Sequence, residues 1–331
     1  MKRLMILLMA ICIASRLSAV SEDSFDQTYA SAIARYIKEN AVTGEIRLDD
    51  NAVLRYQTIK SPTEKGILVI LGGHTESYVK YAEFIYDLRD LGITFYALDQ
   101  RGQGFSTRML PDREKDFIPD YGTYLADLKA FMTSVLHPGT NEKVLLLGHS
   151  LGGAVAADYA ERYPNEISGL ILSSPYLGST AGPLALLMVR TLDFFGLGKE
   201  YIPGGGPFSF AAFEKNLETH SRVRHARKMQ DYRDFPTIRL GSVTNHWVEE
   251  TERMAREVIR NAKSISCPTL VLQAEDDHWA NSKAQDEFCG NLARSQKLVF
   301  MGAYHEVLFE TDSIREVALA SIRTFLQRNL R

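Results

Sequence analysis

The chain has 331 residues, 45% of them hydrophobic, and 38 Lys and Arg against 41 Asp and Glu give a formal net charge of −3. That is enough apolar material for a large core, and the slight acidic excess offers no electrostatic basis for a nucleic-acid partner. No internal repeat or long low-complexity tract is present, so no repeat architecture is expected.

Met1-Lys2-Arg3 is a basic start, and Leu4 to Ala14 is an apolar run too short to span a bilayer comfortably. Leu17-Ser18-Ala19 or Ala19-Val20-Ser21 then supplies a cleavage motif. These features predict a signal peptide over residues 1–21 and an exported, periplasmic or membrane-associated protein beginning near Val20 or Glu22. Arg16 fits a leader poorly and keeps an uncleaved anchor open. Cys12 follows the bulky Ile11, which argues against lipid attachment there. Without the leader only Cys267 and Cys289 remain, and whether they pair stays open.

Glu45 to Leu48 and Ala52 to Tyr56 predict an opening hairpin. Gly66 to Leu71 reads as a buried strand, and Gly72-Gly73-His74 follows it with a backbone free to turn its amides inward. Apolar residues at Tyr81, Phe84, Ile85, Leu88 and Leu91 fall on one helical face, as do Tyr121, Leu125, Leu128, Met132 and Val135. Between these helices, the strand Ile93 to Leu98 leads into the glycine-rich turn Asp99 to Ser106, where Asp99 and Arg101 read as hydrogen-bonding scaffold. Strands alternating with helices predict an α/β fold, a mostly parallel sheet covered on both faces.

The most informative stretch is Gly148-His149-Ser150-Leu151-Gly152, set between the apolar run Val144 to Leu147 and the helix-like run Ala154 to Ala160. Strand, sharp turn and helix are what a nucleophile elbow requires, because a serine hydroxyl must be held clear of the backbone beside a base. Ser150 is the candidate nucleophile, and the backbone N–H groups of Leu151 and His74 are the candidate oxyanion hole.

The strand Ile167 to Ser174 is followed by an interval, about 176–262, expected to form a helical lid inserted in a single domain spanning 22–331. Leu184 to Val189 and Leu192 to Phe195 are apolar enough to receive an acyl chain, at about 0.8 kcal/mol per buried methylene. The basic run Arg222 to Lys228 could attract a lipid phosphate or simply form a solvated helix face.

Thr269 to Ala274 reads as a strand running into Glu275-Asp276-Asp277, and Lys297 to Met301 as one running into Gly302-Ala303-Tyr304-His305. The order Ser, acid, His is that of a hydrolase triad, with His305 as base. Spacing alone leaves Asp276 and Asp277 both open as the acid. Ile314, Val317, Ala318, Ile322, Phe325 and Leu326 predict a closing amphipathic helix.

Gly72 to Tyr78, Asp99 to Ser106, Gly148 to Gly152, Leu272 to Asp277 and Gly302 to His305 together resemble the monoacylglycerol lipase and lysophospholipase branch of the α/β-hydrolases. Within it, Glu76 to Glu83, Asn245 to Val248 and Tyr304 to Glu310 resemble the bacterial membrane-associated lysophospholipases. The resemblance implies the α/β-hydrolase fold, and it selects Asp277, four residues after Gln273 of the acid strand. It further implies a serine carboxyl-ester hydrolase acting on a lysophospholipid without cofactor, with peripheral membrane contact.

Monoacylglycerol lipase activity is the nearest alternative. A proline iminopeptidase-like peptidase would carry Gly-Gly-Pro-Gly where this chain has Gly72-Gly73-His74-Thr75, and a non-catalytic membrane-surface binding protein would show a broken triad. No metal site is expected, since no Cys/His cluster has zinc spacing and Asp277 of Asp276-Asp277-His278 already has a role.

Overall fold

A run of apolar residues long enough for a strand and flanked by turn residues is buried on both faces, which suits it to a parallel sheet between two helical layers. The computed structural model, which describes residues 19–136 and 143–330, is built on such runs. The basic start and apolar run of the expected leader, in residues 1–18, lie outside the described residues.

Among the described residues the strands are β1 (Ala41–Arg47), β2 (Val53–Ile59), β3 (Gly66–Leu71), β4 (Ile93–Asp99), β5 (Val144–His149), β6 (Gly169–Ser173), β7 (Thr269–Ala274) and β8 (Ser295–Phe300). They form one sheet in the order β1-β2-β4-β3-β5-β6-β7-β8. The opening hairpin is antiparallel, with Arg47 opposite Val53, and β2 also runs antiparallel to β4. From β4 to β8 all neighbours are parallel, Val69 lying opposite both Tyr96 and Leu146.

Two short helices, α1 (Phe25–Thr28) and α2 (Ala34–Asn40), precede the sheet. The others are α3 (Ala82–Leu88), α4 (Gly122–Phe131), α5 (Leu151–Arg162), α6 (Pro183–Leu192), α7 (Arg222–Asp234), α8 (Asn245–Asn261), α9 (Ser282–Asn291) and α10 (Asp312–Asn329). Strand side chains alternate between faces. Ile67, Val69 and Leu71 therefore meet Leu128 of α4, Val155 of α5, Met254 of α8 and Phe288 of α9. Leu68 and Ile70 meet Phe84 of α3 with Leu319 and Phe325 of α10 on the other side.

Two expected helices differ in detail. The apolar stripe from Tyr81 to Leu91 is only partly α-helical, since α3 is flanked by 3-10 turns at Tyr78–Tyr81 and Arg89–Leu91. The second stripe loosens into a π turn over Met132–Leu136 after α4. Periodicity reports which side faces the core, and neighbouring helical windings share nearly the same period.

Between β6 and β7 the chain carries α6, α7 and α8. Trp247, Met254 and Val258 root α8 in the main core, whereas Leu184 and Leu187 of α6 and the following Phe194 and Phe195 are exposed. Cys267 is buried, Cys289 half-buried and both are free thiols, pushed up to about 11 by burial.

Candidate active site

The elbow between β5 and α5 explains its own glycines. Ser150 sits at φ 51°, ψ −118°, a conformation in which L side chains are strained. A Cβ on Gly152 would lie on the carbonyl oxygens of Leu71 and Gly72, and one on Gly148 would strike the backbone of Gly152. Only glycine at both positions lets strand, turn and helix pass this closely. The turn is tied down by Ser150 N donating to Ser173 O at 3.0 Å and Tyr176 N donating to Ser150 O at 2.9 Å.

His305 lies in the loop after β8 and Asp277 just past β7, neighbouring strands that bring the two residues together across 28 positions of sequence. His305 Nδ1 and Asp277 Oδ2 are 2.8 Å apart. The other carboxylate oxygen of Asp277 accepts from the N–H groups of Trp279 and Ala280 at 2.8 and 2.9 Å. Asp276, the other acid left open, is exposed and lies 3.7 Å from His278. Burial works to raise the Asp277 pKa, but the His305 imidazole and the two N–H groups hold it below its ordinary value. Burial works to lower that of His305, and Asp277, Glu306 and Glu218 outweigh it, so the imidazole titrates above its ordinary 6.5.

The loop after β3 runs against the elbow, close enough that a Cβ on Gly73 would lie 3.0 Å from Ser150 Cβ. Gly73 N donates to Glu76 Oε2, Thr75 N to Gln103 Oε1 and Glu76 N to Gly73 O. The His74 N–H has no such acceptor among the described residues. Leu151, as first residue of α5, carries an N–H with no partner inside its helix. Burial, with Lys228 and Arg108, pushes the His74 imidazole down to about 4, so it is neutral near pH 7. Asp99 takes the scaffold position expected of it, accepting from Tyr78 N at 2.6 Å, Phe105 N at 2.7 Å and Ser77 Oγ at 3.0 Å. Arg101 grips Asp127 of α4 with two hydrogen bonds, at 2.7 and 2.8 Å.

Sequence reading missed a buried ionic network behind the elbow. Lys80 bridges Glu76 and Glu306, while Lys228 pairs with Glu218 at 2.7 Å and approaches Glu306 at 3.6 Å. His149, beside Ser150, has Nε2 3.4 Å from Glu76 and 3.5 Å from Glu306, and its ring centroid is 4.8 Å from that of His305. Glu76, His149 and Glu306 have the spacing of a metal site. The Lys80 ammonium, however, already supplies the cation between the two carboxylates. The one available signal was Lys80 four residues after Glu76, which is common on exposed helices.

The basic run of α7 proves to be internal wiring rather than an open anion site. Arg224 pairs with Glu83 and Asp312, Arg227 with Asp231 and Asp234, and Lys228 with Glu218. Only Arg222 is largely exposed, and it meets Glu214 at 3.0 Å.

Residues 62–312 match the family model described as serine aminopeptidase, S33. The chain belongs to this family. Lysophospholipase L2 of Escherichia coli K12 is 35% identical to it over 291 residues, covering 85% of this chain and 86% of that one. Monoglyceride lipase of Rattus norvegicus is 24% identical, covering 82% of this chain and 85% of its own. Among solved structures, a soluble variant of Saccharomyces cerevisiae monoglyceride lipase in complex with a substrate analog shares the fold, with a TM-score of 0.71 at 18% identity over 88% of this chain and 96% of that one. This S33-family chain is thus a hydrolase with the α/β-hydrolase fold.

Proposed function

We propose that this hydrolase releases the fatty acid of a lysophospholipid through an acyl-enzyme. The observation that carries the reading is the Asp277–His305 hydrogen bond, with the His305 ring 4.8 Å from that of His149 next to the strained Ser150, in a chain 35% identical to a lysophospholipase. Ser150 attacks the ester carbonyl while His305 takes its proton and returns it to the leaving glycerol oxygen. Asp277 holds the imidazole in the tautomer that presents a bare nitrogen to the serine and stabilises the cation that forms. The amides of His74 and Leu151 receive the oxyanion, and water then releases the fatty acid by the same route.

A lipid substrate accords with the apolar surface of Leu184, Leu187, Phe194 and Phe195, which are 59 to 84% exposed and suited to contact with a lipid aggregate. No helix among the described residues is long and apolar enough to cross a membrane. Export through the leader, with attachment at the lipid surface, completes the reading.

Hydrolysis of monoacylglycerol is the second reading. It is favoured by the internal pairing of Arg224, Arg227 and Lys228, which directs these cations away from a headgroup phosphate. An aminopeptidase needs an unpaired anion for the substrate ammonium, yet Glu76, Glu218 and Glu306 are each bound to a lysine. Fatty-acid or amine release from lysophospholipids, monoacylglycerols and prolyl amides by one preparation tests the order. A faster rate on monoacylglycerol at matched chain length would select the second reading.

The acid limb of kcat/KM is expected above pH 6.5, because the neutral His305 is the base and its folded pKa lies above that ordinary value. Activity should fall as pH drops through this limb. A pH–rate profile with the limb at or below 6.5 would contradict the raised His305 pKa.

A further inference from the structure

Val20, at the junction of leader and mature chain, is built into the core. Its side chain is 6% exposed and packs with Phe25, Ile33 and Ala82. Its N–H donates to Asp87 Oδ1 at 3.1 Å, and its carbonyl accepts from Arg224 Nη2 at 2.9 Å. Two residues later, Glu22 N donates to Asp312 Oδ2, and the Glu22 carboxylate accepts from Asp312 N and from Ser221 Oγ.

The charges around Val20 N come from α3, α7 and α10. Asp87 lies 2.7 Å from Arg315, which is also 3.3 Å from Glu83, while Arg224 meets Glu83 at 3.0 Å and Asp312 at 2.9 Å. Apart from the partly exposed Asp312, these side chains are almost wholly buried. With the Glu22 carboxylate on Asp312 N, four carboxylates face the two guanidinium groups of Arg224 and Arg315, and Asp87 Oδ2 accepts no well-aligned hydrogen bond among the described residues. An amide N–H at Val20 leaves this excess of negative charge in place, whereas an ammonium there offsets one unit of it.

We infer that the leader is cut between Ala19 and Val20, and that the α-ammonium so formed makes a buried ion pair with Asp87 that fastens the mature chain to α3 and α10. The inference rests on the export reading. A leader peptidase breaks the Ala19–Val20 amide with one water, leaving a carboxylate on Ala19 and, with the proton released, an ammonium on Val20. Val20 is buried and Ala19 half-buried, so the cut precedes folding. The other motif, ending at Ser21, is disfavoured because cutting there removes the Val20 side chain and strips Arg224 and Asp87 of main-chain partners.

The mass of the exported protein is expected to correspond to a chain starting at Val20. A start at Met1 would overturn the export reading, and a start at Glu22 would overturn the site of cutting. The ion pair is tested separately on the mature chain released from a fusion, beginning either at Val20 or with one extra glycine before it. At pH 6.5 the Val20 chain should melt roughly 3–6 °C higher.

The α-amino group of an unfolded chain titrates at about 7.7–8.0; in the folded chain burial and the Arg224 and Arg315 guanidinium groups work to lower it, and the ion pair as proposed requires Asp87, with Glu83, Asp312 and Glu22, to outweigh them and raise it. The advantage is therefore fully present below that range and is lost as pH rises through the folded value. Asp87→Asn should erase both the gap and its pH dependence. Should that variant fail to fold, acetylating the Val20 amine removes the charge but keeps an N–H, and should lower the midpoint to that of the extended chain. Equal midpoints for the two chains at pH 6.5, or no effect of acetylation, would overturn the ion pair.

Discussion

Replacing either Ser150 or His305 with alanine is expected to lower kcat on a lysophospholipid by about a millionfold, and the double variant should be little worse than either. The two side chains act as one unit: without the imidazole the hydroxyl keeps its proton, and without the hydroxyl the imidazole has nothing to activate. Fold should survive both changes. Ser150 is held by main-chain bonds to Ser173 and Tyr176 that alanine retains. Fatty-acid release, with melting temperature as control, is the measurement. Losses that multiply in the double variant would refute a shared mechanism.

Asp277→Asn should cost about ten-thousandfold in kcat, while Asp276→Asn should leave activity near the parent value. Asp277 uses both oxygens, one toward His305 and one toward the N–H groups of Trp279 and Ala280. An asparagine can keep its oxygen on the two N–H groups only by turning its NH2 toward His305. The imidazole must then accept at Nδ1 and carry its proton on Nε2, the wrong tautomer for a base. Asp276 is exposed and makes no contact with His305. The opposite ranking in a turnover assay would move the acid by one residue.

Much of this was legible because local chemistry dictated it. Gly66 to Leu71 and Thr269 to Ala274 coincide with β3 and β7 as read, since each apolar run is bounded by residues that turn. The elbow was legible because its glycines answer a steric demand made within a few residues, in contact with the end of β3. Spacing alone did not choose between Asp276 and Asp277; the family resemblance selected Asp277, and the packed loop brings that residue to His305 while Asp276 stays exposed.

By itself the sequence determined the alternation of strands and helices, the position of the candidate nucleophile and the order of its candidate partners, all of which follow from period, turn chemistry and chain direction. The tertiary structure alone decided where the charges go. Arg224 and Lys228 read as a basic surface, yet their partners Glu83, Asp312, Glu218 and Glu306 come from four other parts of the chain. Lys80, four residues after Glu76, is also clasped by Glu306, 226 residues away. A buried charge must find an opposite one, and sequence spacing carries no record of which distant carboxylate the fold will bring to it.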